Sequence, residues 1–301
     1  MSDFPQFITI RIGFDLSYEA SAPTPITLLI EPRLEPHQQM VSEELTFPPG
    51  VNTQVSEDTH GNIVHRFDLP VGRSVIRQDA FVNLPPTPEG HGAVGEPVPV
   101  SALPAELLRY ILPSRYCDSD RLMDFAFSQF GQIQHGFARV QAICDWLHTN
   151  VQYRWGGGSC YTSASEIIQQ RYGVCRDFAH TAIALCRCFN IPARYVTGHL
   201  PDVAFLDNGS PMDFHAYFQV YIGNQWHTFD ARFNVPRIGR IPIACGLDAV
   251  DGAFSTLYGA ASLVLFKVWA YQVDPAVVKM GDPIDLTKRL DGTPQLRFPP
   301  Q

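Results

Sequence analysis

The chain has 301 residues, enough for one or two domains and for a core that needs no disulfide staples. Apolar residues make up 45% and charged residues 17%, which excludes an intrinsically disordered chain. Its 22 basic and 30 acidic side chains leave a net charge of −8, which argues against a nucleic-acid partner, because phosphate binding needs a basic face.

The first ~84 residues read as β structure. Ile8, Ile10, Ile12 and Phe14 alternate with Thr9, Arg11 and Gly13, the period of a strand. Ile26 to Ile30 is a short apolar run closed by Glu31-Pro32. His60-Gly61-Asn62 is a turn signal before a strand over Ile63 to Leu69, and Phe81 to Leu84 ends this part. Pro85, Pro86, Pro88, Pro97, Pro99 and Pro104 then exclude a central strand or a helix interior. This stretch is expected to be a linker or surface loop, with a domain boundary near residue 100.

Helical spacing follows. Leu122, Phe125, Ala126 and Phe130 form one stripe, and Phe137, Val140, Ile143, Cys144 and Leu147 another, stopping at Asn150. Gly156-Gly157-Gly158-Ser159 lacks the Gly-Lys-Ser/Thr ending of a phosphate loop. Ser163-Ala164-Ser165-Glu166 reads as a capping box for a helix ending at Gly173. Cys175 opens the next helix, with Phe178, Ala182, Leu185, Cys186 and Phe189 as its apolar stripe and Asn190-Ile191-Pro192 as its stop. Strands are expected over Ala193–Thr197, His215–Ile222, Gln225–Phe229 and Leu263–Val273. The last ~20 residues are expected to be poorly ordered. The division expected is therefore a β-rich domain over 1–100, a core over 101–275 and a tail over 276–301.

The seven cysteines are Cys117, Cys144, Cys160, Cys175, Cys186, Cys188 and Cys245. Their odd number and the lack of a Cys-x-x-Cys pair argue against a disulfide framework or a zinc ribbon. The start lacks the features of a secretory leader, and no apolar run of ~18 residues occurs, so a cytoplasmic protein without membrane contact is expected. Six of the cysteines are expected in the core.

The exception is Cys175. A helix N-terminus favours negative charge, and the thiolate is the nucleophilic form. Lowering its pKa from about 8.5 to about 6 needs roughly 3.4 kcal/mol, and a helix dipole supplies only ~0.3–2 kcal/mol. A neighbouring imidazolium must supply the rest. His215, Tyr217, Gln219 and Tyr221 share one face of their strand. Gly223-Asn224 reads as a two-residue hairpin turn, which sets Ile222 opposite Gln225 and Tyr217 opposite Asp230. Asp230 then lies one diagonal step from His215, within reach of a hydrogen bond, and His227 falls on the opposite face. Cys175 as nucleophile, His215 as base and Asp230 as orienter form a thiol triad, and the Cys175 backbone N–H is a candidate oxyanion donor.

Gly173-Val174-Cys175-Arg176-Asp177-Phe178-Ala179-His180 and Ile191-Pro192-Ala193-Arg194-Tyr195-Val196-Thr197-Gly198 resemble the core of the transglutaminase-like superfamily. His215-Ala216-Tyr217 and Trp226-His227-Thr228-Phe229-Asp230 are similar to its second and third catalytic motifs, in the family's order. The resemblance covers residues ~105–270, and the β region before it resembles the N-terminal module of many bacterial members. It implies an α+β fold: an antiparallel β domain followed by a papain-like core of helices packed on an antiparallel sheet. It implies Cys175, His215 and Asp230 as the catalytic residues, with no cofactor and no metal. Asp230-Ala231-Arg232 departs from the family's common Asp-Pro, which is expected to alter a loop only.

The function expected is cysteine-dependent acyl transfer, with hydrolysis of a peptide or isopeptide bond favoured and a peptide or protein as substrate. A transglutaminase, in which an amine accepts the acyl group, has the same triad. A non-catalytic binding module is the third reading. Acetyl transfer to an arylamine is disfavoured, because that family's arginine–glycine signature is absent. Other residues take structural readings: His180 faces away, Cys160 lacks a base, Trp155 is a packed tryptophan, and Asp248 and Asp251 serve a loop. Calcium is disfavoured for want of an EF-type loop. The segments Leu200–Asp213 and Arg232–Leu247 are expected to be loops that shape the cleft.

Overall fold

The computed structural model describes residues 7–90, 95–205 and 211–290. In chain order the strands and helices are β1 (Ile8–Ala20), β2 (Thr24–Leu28), β3 (Gln39–Thr46), β4 (Gln54–Glu57), β5 (Ile63–Leu69), β6 (Gly72–Leu84), α1 (Met123–Phe130), α2 (Phe137–Asn150), β7 (Gln152–Tyr153), α3 (Ala164–Gln170), β8 (Tyr172–Gly173), α4 (Cys175–Cys188), β9 (Ala193–His199), β10 (His215–Ile222), β11 (Gln225–Phe229), β12 (Ile241–Gly246), β13 (Ser255–Leu257) and β14 (Ala261–Val273). The mixed architecture of antiparallel sheets and helices, β-rich at its N-terminal end, is the α+β class expected.

Two four-stranded sheets, ordered β14-β1-β6-β3 and β13-β2-β5-β4, enclose a core of Phe14, Leu16, Tyr18, Ile26, Leu28, Phe67 and Leu69. β5 spans the residues expected of it. Its entry turn forms because Asp58 Oδ1 accepts from the backbone N–H groups of His60 and Asn62, with Gly61 at φ 75°. β3 and β4 carry no alternating apolar signal because their side chains are largely exposed.

Two segments differ from the expected layout. β14 falls inside the span expected for the core, yet it pairs with β1, Ile12 opposite Ala270 and Phe14 opposite Val268. β13 likewise pairs with β2. The chain therefore returns to its N-terminal strands after the helical part, a pairing across more than two hundred residues that local pattern does not reveal. The described part of the last ~20 residues is also held in place. The carbonyls of Asp282 and Pro283 accept from Arg11, Leu290 N–H donates to Gln272 O, and Ile284 packs on the cluster of Trp269 and Tyr271. Residues 291–301 of that stretch lie outside the described residues.

In the other half α4 is central. Every side chain from Asp177 to Cys188 is buried, because α1, α2 and α3 pack on one side and β9 and β10 on the other. Ala179, Ala182, Ala184 and Cys186 are small enough to let the neighbours close in. α3 starts at the expected capping box, Ser163 N–H donating to Glu166 Oε2 at 2.7 Å. It ends at Gln170 with Arg171 left-handed (φ 63°), three residues before the expected stop. Gly173 instead permits the tight entry into α4, since a Cβ there would meet Asp177 Cβ and Oδ2 at 2.8 Å.

The third sheet has the order β11-β10-β9-β12. β12 lies within a segment expected to be loop. Pro242 hides it from a sequence reading, and the strand tolerates proline because it is an edge strand with a register shift between Pro242 and Ala244. Residues 85–90 and 95–99 of the proline-rich stretch lie against this half. Glu89 N–H donates to Arg237 O, and Glu96 O accepts from Gly223 N–H.

Candidate active site

Cys175 is the first residue of α4 and is half-buried. The Asp177 carboxylate caps the turn by accepting from Val174 N–H at 2.9 Å. A backbone hydrogen bond from Ala216 reaches the Cys175 thiol, which places the sulfur beside the start of β10.

The hairpin forms in the expected register. Gly223 and Asn224 both have positive φ, 60° and 64°, as a type I′ turn requires. Ile222 pairs with Gln225, and the ladder runs to Phe218 opposite Phe229. Asp230 follows directly, and its Oδ2 lies 2.7 Å from His215 Nε2. A carboxylate only accepts, so Nε2 carries the proton and Nδ1 is left with its lone pair. Phe233 packs on the imidazole at 5.2 Å. His227 lies on the other face, edge-on to Phe137 and donating to Ile222 O at 3.0 Å.

Asp230 is saturated. Oδ1 accepts from the backbone N–H groups of Arg232 and Phe233, and Oδ2 accepts from Arg240 Nη2 at 2.7 Å as well as from His215. Arg240 in turn grips Glu89, with Nε 2.9 Å and 2.7 Å from its two oxygens. The turn after Asp230 thus supplies two backbone donors to the aspartate, both beyond position 231, where Ala231 replaces the family's common proline.

Burial would push the Asp230 carboxyl up, but His215 and Arg240 hold it far below the ordinary carboxylate range. Burial draws the His215 imidazole down to about 4, against the pull of Asp230, and Arg240 and Arg232 act in the same direction as burial. Burial also raises the Cys175 thiol, opposed by Arg232 and by the Ala216 N–H. Burial thus favours the uncharged forms of both the thiol and the imidazole, against the opposite pull of a helix N-terminus on the sulfur.

Two recesses meet at Cys175. One, about 640 Å³, is lined by His215, Leu200, Phe205, Met212 and Phe233. The other, about 1440 Å³, runs past Gly156, Gly158, Tyr195, Phe254 and Phe266. Tyr153, Trp155, Asp213 and Phe214 belong to both. Leu200, Asp213, Arg232 and Phe233 fall within the segments expected to shape the cleft.

Trp155 is not a packed core residue: it is 56% exposed at the junction of the recesses. Cys160 is exposed too, so five cysteines rather than six are buried. It sits in the glycine-rich segment, outside any helix or strand, and this carries its side chain to the surface. His180 is buried away from the site, accepts from Ala249 N–H at 3.1 Å and stacks on Tyr116. Asp248 and Asp251 accept from the backbone of Tyr116, Val250 and Leu247, the loop role expected. Arg240, Glu89, Arg232 and Asp213 were not legible as site residues. They come from loops, where side-chain direction has no period to read.

Among the described residues no group of three or more His, Cys, Asp or Glu is placed to hold a metal ion. No described helix is long and apolar enough to cross a membrane.

Comparison with known proteins bears on the family and the fold. The sequence profile of the transglutaminase-like superfamily matches residues 124–231. The crystal structure of a candidate cysteine protease from Cytophaga hutchinsonii superposes with a TM-score of 0.79 at 33% identity, covering 90% of this chain and 92% of that one. The chain belongs to the transglutaminase-like superfamily. An uncharacterised protein of Mycobacterium tuberculosis is 28% identical over 182 residues, 57% of this chain. One of Mycobacterium leprae is 31% identical over 90 residues, 29% of this chain and 32% of its own length. This chain spans 58% of the length of the M. tuberculosis relative.

Proposed function

We propose that the chain is a thiol-dependent acyl-transfer enzyme that hydrolyses a peptide or isopeptide bond, with Cys175 as nucleophile, His215 as base and Asp230 as orienter. The observation that carries this reading is the buried His215–Asp230 contact beside a cysteine that opens onto two recesses. The candidate cysteine protease from C. hutchinsonii supports hydrolysis over transfer to an amine.

The thiol proton passes to His215 Nδ1 as the sulfur attacks the substrate carbonyl carbon. The Cys175 backbone N–H is the candidate donor to the resulting oxyanion, and Trp155 lines both recesses beside it. The C–N bond breaks as the imidazolium protonates the leaving amine, which leaves a thioester on Cys175. Water, deprotonated by His215, then releases the carboxylic acid and restores the thiol. The recesses on either side of the sulfur accommodate the acyl and amine portions of a peptide. Phe254, just before β13, and Phe266, on β14, line the larger recess, so the strands that pair with the N-terminal sheets shape the cleft. Seven free thiols suit a reducing compartment.

The test is turnover of a peptide, isopeptide and amine-acceptor library by the wild type and by Cys175→Ala. Hydrolysis is expected, with a loss on the order of 10⁴-fold or more in the variant. Product formed only with an added amine would assign a transglutaminase. Turnover retained by Cys175→Ala would overturn the mechanism, and no turnover by either protein would favour a binding module.

A further inference from the structure

The aspartate of the site is tied to a residue 141 positions earlier in the chain. Arg240 lies between them, its Nη2 on Asp230 Oδ2 and its Nε on both oxygens of Glu89. Arg240 is 7% exposed, and its guanidinium also lies over the Tyr217 ring at 4.5 Å. Glu89 is fixed by its backbone as well, its N–H on Arg237 O and its Oε1 accepting from Arg237 N–H. It belongs to the proline-rich stretch that joins the β-rich part to the helices. The described residues 85–90 of that stretch thus lie against the catalytic sheet and deliver one carboxylate to one buried arginine.

His215 and Arg240 share the same oxygen of Asp230. An arginine on that oxygen weakens the hold of the aspartate on a protonated imidazole, because part of the negative charge is already engaged by the guanidinium. Glu89 works the other way by neutralising Arg240. The remaining polar groups around His215 include Arg232 after β11, Cys175 on α4, Asp213 and Tyr217 on its own strand and approach, and the Arg237–Asp202 pair. None of these bonds Asp230 Oδ2.

We propose that Arg240 and Glu89 are positioning residues that set the proton balance between Cys175 and His215: Arg240, by sharing Asp230 Oδ2 with His215, biases the pair toward thiol and neutral imidazole, and Glu89 limits how far. The proposal rests on the Cys175–His215 reading above. Burial of Arg240 opposes its charge, and Glu89 and Asp230 more than restore it, so the guanidinium stays cationic at any working pH. The device acts through two substitutions of opposite sign. Arg240→Gln frees Asp230 to favour imidazolium and hence thiolate. Glu89→Gln keeps an acceptor for Arg240 but removes the neutralising charge, so the imidazole becomes harder to protonate. General damage to the site would move both variants the same way.

The experiment is the rate of iodoacetamide alkylation of Cys175, read by peptide mass spectrometry between pH 5 and 9. Exposed Cys160 in the same sample is the internal reference. Relative to Cys160, Arg240→Gln is expected to alkylate Cys175 about tenfold faster at pH 7, the effect of about one unit in the imidazole pKa. Glu89→Gln is expected to be severalfold slower, and Arg240→Lys, which keeps the charge, to stay near wild type. Should Arg240→Gln not fold, the sign of the Glu89→Gln change decides. Shifts of one sign in both variants, or no shift in Glu89→Gln, would overturn the proposal and leave the pair a structural brace. Inert wild-type Cys175 together with active Cys175→Ala would instead overturn the reading beneath it.

Discussion

Arg11 with Asp79 and Arg240 with Asp230 are both buried arginine–carboxylate networks, and they do different things. In the β-rich half Arg11 is fully buried and holds both oxygens of Asp79, at 2.8 Å and 2.6 Å. Its other donors reach Tyr271 Oη and two backbone carbonyls, and Trp269 Nε1 donates to Asp79 at 3.3 Å. None of its side chains lines either recess at Cys175. At the site Asp230 divides one oxygen between an arginine and an imidazole, and the imidazole lines a recess with a thiol. The same ion-pair chemistry becomes a brace when every partner has a fixed charge. It becomes a proton-handling device when one partner can change its charge.

Breaking each network should separate these roles. Asp230→Asn should cost the most, on the order of 10⁴-fold in kcat, because the amide supports the wrong imidazole tautomer. The check is turnover per folded molecule, since Arg240 also loses its ion partner and stability falls too. Arg11→Ala should destabilise the fold by about 3–5 kcal/mol, the cost of leaving a buried charge alone, and leave turnover per folded molecule unchanged. Urea unfolding beside active-site titration measures both. A large loss of turnover in correctly folded Arg11→Ala would erase the distinction.

The third prediction concerns acid. The folded pKa of His215 lies near 4, below its unfolded value of about 6.5. The unfolded chain therefore takes up a proton first as pH falls, and stability is lost between those two values. His215 alone accounts for about 3 kcal/mol of that loss. Buried His199, drawn down to about 3, adds to it. Melting temperatures from pH 7 to pH 4 should fall steeply, and His199→Leu should flatten the slope. Arg11 contributes nothing to that slope, because arginine does not titrate there. The smallest effect is expected of Trp269→Phe, which removes one hydrogen bond to Asp79 and costs about 1–2 kcal/mol with turnover intact.

The two networks are unequally legible in the sequence. His215 and Asp230 can be paired because a hairpin obeys a period of two and Gly223-Asn224 fixes its register. Cys175 can be singled out because a helix start has a sequence signature. Arg240 and Glu89 sit in loops 151 residues apart, and no periodicity says which loop arginine turns inward. Alternation places Arg11 on the right strand, but it predicts a polar face open to solvent. The C-terminal segment covers that face, and no local rule anticipates it. β14 reads as a strand without its partner, since strand pattern carries no address for a neighbour so far away in the chain. The level of the thiol is hidden as well: helix position and charge count can be read from residues, but desolvation depends on what packs above them.

The most direct test of the central claim is covalent trapping with a peptidyl chloromethyl ketone, read by intact mass and peptide mapping. One adduct is expected, on Cys175, formed much faster than on exposed Cys160 and slowed sharply in His215→Ala. Labelling of Cys160 in preference to Cys175, or a Cys175 adduct that forms equally fast without His215, would contradict the assignment of Cys175 and His215 as nucleophile and base.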